Sequence, residues 1–300
     1  MPEGTAYGDH SSHHEGMRLP FRSFPWPVTG WVRGFRLALT DKAGQPLSRQ
    51  LIHHIAMVNL ERRALLQDIA ERILAAGQET ENVRLPGSLG LPLTAGTEVG
   101  VMAAWANETG AAIEGAYLTV SISWSPANRS VRPVDILPLY LDVHYQGVGQ
   151  TNSYDLPPGV SSRSREFTLP AGGRLLAAGG HLHLHGKELV LEDLETRRTV
   201  LRLKAKVNRN GQLEEVERKL FGVRGDGLRL HAGRRYRLTA TYDNPTGETI
   251  PNGAMGIMAG LFAPSDLTRL PALDRENPGI RADLTALRAS AAYGGPGGGH

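Results

Sequence analysis

The chain has 300 residues, 40% of them hydrophobic and 21% charged, and no cysteine. That suits one large or two mid-sized globular domains and excludes collagen, a coiled coil, disulfides, thiolate metal sites and cysteine nucleophiles. Thirty-three Lys and Arg, all but five of them Arg, stand against 30 Asp and Glu for a formal net charge of +3; they are scattered among acids, which leaves nucleic-acid binding without a basic stripe. No apolar run reaches the roughly 18 residues of a membrane helix, and residues 1–17 lack the apolar core of a signal peptide.

In chain order, short β-branched or alternating runs between Gly, Pro and other turn residues predict strands at 30–39, 50–58, 100–104, 117–124, 137–144, 175–185, 188–193, 198–207, 236–242 and 256–262. Between the second and third of these, Leu65, Leu66, Ile69 and Ile73 recur at helical spacing and Gly77 follows as a stop, so one amphipathic helix is predicted over 61–76. The leader and the residues from about 273 to the GGPGGGH end have the composition of poorly ordered segments.

An internal repeat organises the rest. LTAGTEVGVMAAWANETG from Leu93 matches LHAGRRYRLTATYDNPTG from Leu230, with identities at Ala95/Ala232, Gly96/Gly233, Ala103/Ala240, Asn107/Asn244, Thr109/Thr246 and Gly110/Gly247, an offset of 232 − 95 = 137. HHIAMVNLERR from His53 has a looser echo in HLHLHGKELVLEDLETRR from His181. The economical reading is an all-β chain of two tandem β-sandwich domains with one short helix. Its parts are a leader over 1–20, an N-terminal sandwich over 21–126, a C-terminal sandwich over 133–265 and a tail over 273–300, with SPANRSVRP at 125–133 as linker.

The histidines cluster. On an extended strand His181, His183 and His185 share one face about 7 Å apart, a spacing at which two imidazoles can grip one metal ion. The adjacent His53 and His54 point to opposite faces of a regular strand and converge only at a bulge or a strand end. His10, His13, His14 and Met17 fit a polar leader better than a fixed site, and neither a phosphate-binding loop nor a Ser/His/Asp arrangement stands out.

Taken in order, these motifs resemble the copper type II, ascorbate-dependent monooxygenases, the family of peptidylglycine α-hydroxylating monooxygenase and dopamine β-monooxygenase. His53 and His54 match that family's His-His pair. His181 and His183, followed by Gly186 and Lys187, match its His-x-His motif, and Met255 matches its methionine ligand. The resemblance implies two jelly-roll domains, one or two copper ions, and hydroxylation of a small-molecule or peptide substrate by O2 with a reductant such as ascorbate. It also implies a secreted or periplasmic setting and makes His181, His183 and Met255 the catalytic set, a donor combination suited to Cu(I). The third histidine of the first site has no counterpart: the repeat puts Ala106 there, and His144 in VHY is the substitute ligand by wording. Two alternatives stand beside this. One is a non-catalytic copper-binding double sandwich that lost its first site. The other is a cupin-like Fe or Mn enzyme, since His181-x-His183 followed by Glu188 resembles a cupin motif. The oligomeric state is not legible.

Overall fold

A computed structural model describes residues 21–77, 82–105, 113, 115–128, 130–147, 152–208, 213–221 and 227–292, with the backbone alone for 53, 54, 105 and 290–292. The first nine strands are β1 (Phe21–Pro25), β2 (Gly30–Thr40), β3 (Ile52–Arg63), β4 (Ala70–Ala76), β5 (Asn82–Arg84), β6 (Leu89–Leu93), β7 (Glu98–Trp105), β8 (Tyr117–Pro126) and β9 (Val134–Asp135). Twelve follow: β10 (Leu137–Asp142), β11 (Tyr154–Leu156), β12 (Gly159–Thr168), β13 (Gly173–Leu182), β14 (Gly186–Asp193), β15 (Arg198–Val207), β16 (Leu213–Val216), β17 (Lys219–Leu220), β18 (Leu228–Leu230), β19 (Arg235–Asn244), β20 (Ile250–Ala254) and β21 (Gly256–Pro264). A single α-helix among the described residues, α1 (Pro278–Ala292), follows them.

The all-β reading holds: the strands form two jelly-roll-like sandwiches. In the N-terminal one, a sheet ordered β1-β7-β3-β4 faces a sheet in which β2 pairs with β5 and β6 on one side and with β8 on the other. In the C-terminal one, β12-β19-β14-β15-β16 faces a sheet built on β10-β21-β13, with β17 and β18 paired to β13. Alternation builds both cores. Tyr236, Leu238, Ala240, Tyr242 and Asn244 of β19 all point inward, and their partners on β14 and β13, such as Leu189, Leu191 and Leu182, fill the same layer.

The repeat extends to topology. β1, β2, β3, β4, β5, β6, β7 and β8 pair with one another as β12, β13, β14, β15, β17, β18, β19 and β21 do. The repeat offset read from sequence is the superposition of β7 on β19. One difference matters below: β21 is flanked on its outer edge by β10, whereas no described strand lies beside the outer edge of β8.

Two expectations are corrected. The predicted helix over 61–76 is the end of β3, a turn and β4, with Arg62 paired to Glu71 and Arg63 to Asp68 across the hairpin. Leu65 and Leu66 mimic a helical stripe because they sit in that turn and pack on the C-terminal core, so their burial is set by the other sandwich and not by a helix face. The tail is not featureless: residues 278–292 form α1, whose Ile280, Leu284 and Leu287 cover Phe21, Val58 and Ala70. Asp283, fully buried, accepts two hydrogen bonds from Arg72 and one from the Ala70 amide at 2.9 Å, tying the helix to β4.

Candidate functional site

The sequence-predicted residues of the C-terminal sandwich meet at one end of its β10-β21-β13 sheet. His181 lies opposite Ile257 and Leu182 opposite Gly256, so His183 follows directly beside Met255. On the other flank the Val143 amide donates to the Gly256 carbonyl at 3.0 Å. Gly256 permits this crowding, since a Cβ there would lie 2.6 Å from the Ala240 Cβ and 2.8 Å from Val143.

One phenol fixes the arrangement. The Tyr242 hydroxyl, reaching out of the core from β19, accepts from the His183 amide and the Met255 amide, each at 3.0 Å, and donates to the Met255 carbonyl. Burial pushes the Tyr242 phenol up to about 12, with the two amides pulling the other way, so it stays a neutral donor and acceptor across the physiological range. The His181 and His183 rings sit edge to face with centroids 5.4 Å apart. The expected third imidazole of that face does not join them: β13 ends at Leu182, and His185 occupies a turn with φ of 69°. Met258, three residues past Met255, is the core methionine, while Met255 is half-buried.

His144 belongs to a neighbouring aromatic group. Its ring packs on Tyr154 at 5.3 Å, Arg163 lies 4.5 Å over the other ring, and Tyr154 meets Tyr242 edge-on at 6.4 Å. Burial and the Arg163 charge hold the His144 imidazole below its ordinary value. Beneath it, Asp142 accepts from the His144 amide at 2.8 Å and from the Tyr140 hydroxyl at 3.2 Å, and burial raises its carboxyl above the usual carboxylate range. Leu141, Asp142, Arg165 and Phe167 line, with Leu66 and Gln67 of the N-terminal sandwich, a cavity of about 20 Å³, room for one water and not for a substrate. A second, open depression of about 360 Å³ is lined by Glu166, Glu192, Asp193, Arg197, Arg235 and Arg237; Glu166 is already paired with both Arg235 and Arg237.

In the N-terminal sandwich, the register of β3 against β7 slips between Ile52 and His54, so the chain bulges at His53. The His53 and His54 side chains, and Ala106, lie outside the described residues.

No family model matches the chain, and no curated protein matches it. Solved structures similar to it include the major capsid protein P2 of bacteriophage PM2, at 12% identity over 83% of this chain and 94% of that one, TM-score 0.43. A chain of Sulfolobus turreted icosahedral virus is similar at 9% identity over 91% and 93%, TM-score 0.40. PNGF-II is similar at 11% over 81% of this chain and 60% of its own, TM-score 0.40. Similarity this low assigns no role.

The copper monooxygenase reading is corrected. No family model supports one, and among the described residues no three His, Asp or Glu side chains are grouped to hold a metal. Short His and Met motifs in matching order carried the resemblance. The cupin-like alternative fails on Glu188, whose carboxylate is engaged by Arg202 on β15 and which forms no metal-holding group with His181 and His183 among the described residues. No helix among the described residues is long and apolar enough to cross a membrane.

Sequence reasoning passed over the feature that most distinguishes the N-terminal sandwich. β8 reads YLTVSISWSP, ten residues without a charge. Its inward Leu118, Val120 and Ile122 are only partly covered by the core, and Tyr117 and Trp124 are 52% and 45% exposed. The signal was available in the sequence: a long alternating strand lacking the charges that edge strands ordinarily carry.

Proposed function

We propose that this chain is a structural subunit, a double β-sandwich whose work is association with other chains through its sheet edges. The observation that supports the reading is the outer edge of β8, beside which no described strand lies, in a sandwich whose internal duplicate has the equivalent edge covered by β10. An exposed row of backbone donors and acceptors flanked by partly covered apolar side chains is a template for another strand, and proteins that stay monomeric blunt it with charge, proline or bulges. β12, the other ten-residue edge, is blunted in this way by Arg163, Arg165 and Glu166. The reading rests on these edges and not on the viral capsid proteins, whose similarity is too low to carry it. Sedimentation velocity over a concentration series tests it: species heavier than the 32.5 kDa chain should grow with concentration. A monomer at every concentration would overturn it.

A further inference from the structure

Resting on the structural-subunit reading, we infer that the partner at β8 is the β8 of a second copy, paired antiparallel about a two-fold axis at Ser121. An antiparallel pair preserves the two faces of each strand only in registers where partner positions sum to an even number. Centred on Ser121, the pairing sets Val120 opposite Ile122 and Leu118 opposite Trp124, so all four large apolar residues of one face find a partner of the same kind. On the other face Thr119 meets Ser123, and Ser121 meets itself. Moving the centre to Val120 leaves Trp124 facing Ala116, and moving it to Ile122 sets Leu118 against Pro126, which has no amide to donate.

Charge argues for a copy of the same strand. Between 117 and 126 there is no ionic group to repel its duplicate, whereas the same operation on β12 about any of its central residues brings arginines close to arginines. The duplicated topology says what the partner replaces: the incoming strand takes the place beside β8 that β10 takes beside β21. The contact is isologous, so it closes as a two-fold pair and leaves the C-terminal sandwich free for other contacts.

The absence of native cysteine makes the test direct. In the full chain, Ser121→Cys puts two thiols on the axis within disulfide reach and should give a covalent dimer on mild oxidation, while Ser162→Cys on β12 stays uncrosslinked. Ser121→Lys places two like charges on the axis and should lose the associated species in sedimentation while keeping the melting temperature that the wild type has at dilutions where it is monomeric. If the wild type associates but Ser121→Cys does not crosslink, or Ser121→Lys associates normally, the β8 pairing is overturned and the structural-subunit reading stands. If the wild type never associates, because another segment or another protein occupies the edge, both are overturned.

Discussion

Tyr242 does more at its position than any residue singled out from the sequence. Its hydroxyl satisfies both the His183 and Met255 amides where three strand ends meet. Tyr242→Phe leaves two amides without their acceptor and should cost about 1–3 kcal/mol. Amide exchange should quicken at His183 and Met255 ahead of the rest of β13 and β21; unchanged exchange at both would show that the phenol is not the tie. Asp142 offers a second test. Burial raises its carboxyl in the folded state above the ordinary value of about 3.9, so the folded chain holds a proton that the unfolded chain has released. Its contribution to stability is full below the unfolded value and is lost as pH rises through the folded one. Asp142→Asn has no such loss, so its melting temperature relative to wild type should climb as pH rises above the ordinary carboxylate value of about 3.9; a difference independent of pH would contradict this. At this scale the sequence put His181 and His183 on one strand face by alternation and attached Met255 to them through the resemblance alone. It did not show Tyr242 as their tie, since a tyrosine in an alternating strand looks like any core residue. Nor did it show that the resemblance to a copper enzyme was a matter of wording.

The elements were legible where one face is apolar and the other polar. Strands β2, β8, β15 and β19 follow directly from alternation, whereas β12, with Ser, Arg and Glu at most positions, carries no apolar face to read. The misread segment at 61–76 failed for a tertiary reason, since Leu65 and Leu66 answer to the opposite sandwich. α1 did carry signals: Asn277 caps it by accepting from the Gly279 and Ile280 amides at 2.8 and 3.2 Å, Pro278 stands at its first turn, and Ile280, Leu284 and Leu287 fall on one face. The glycine-rich end beyond it masked them. Because Asp283 is fully buried against Arg72, Asp283→Ala removes one partner of a buried pair and should cost about 3 kcal/mol. The denaturant midpoint should fall and a protease should cut within 265–292 first. Loss of less than about 0.5 kcal/mol would mean that apolar contacts alone hold the helix.

For the whole molecule, duplication explains both the shape and the exception to it. Two copies of one eight-strand topology stand in tandem, and the second has β10 beside β21 where no described strand lies beside β8. A sequence repeat with identities at Ala95/Ala232 and Gly96/Gly233 shows the duplication, but an edge is defined by what does not pair with it, which only the folded chain displays. Concentration-dependent hydrogen exchange over 117–126 and 159–168 tests the account most directly, because it reads the two edges in one sample. The expected result is protection in 117–126 that rises with protein concentration while 159–168 stays constant. Exchange in 117–126 that is the same at every concentration would contradict the claim that this chain acts through the edge of β8.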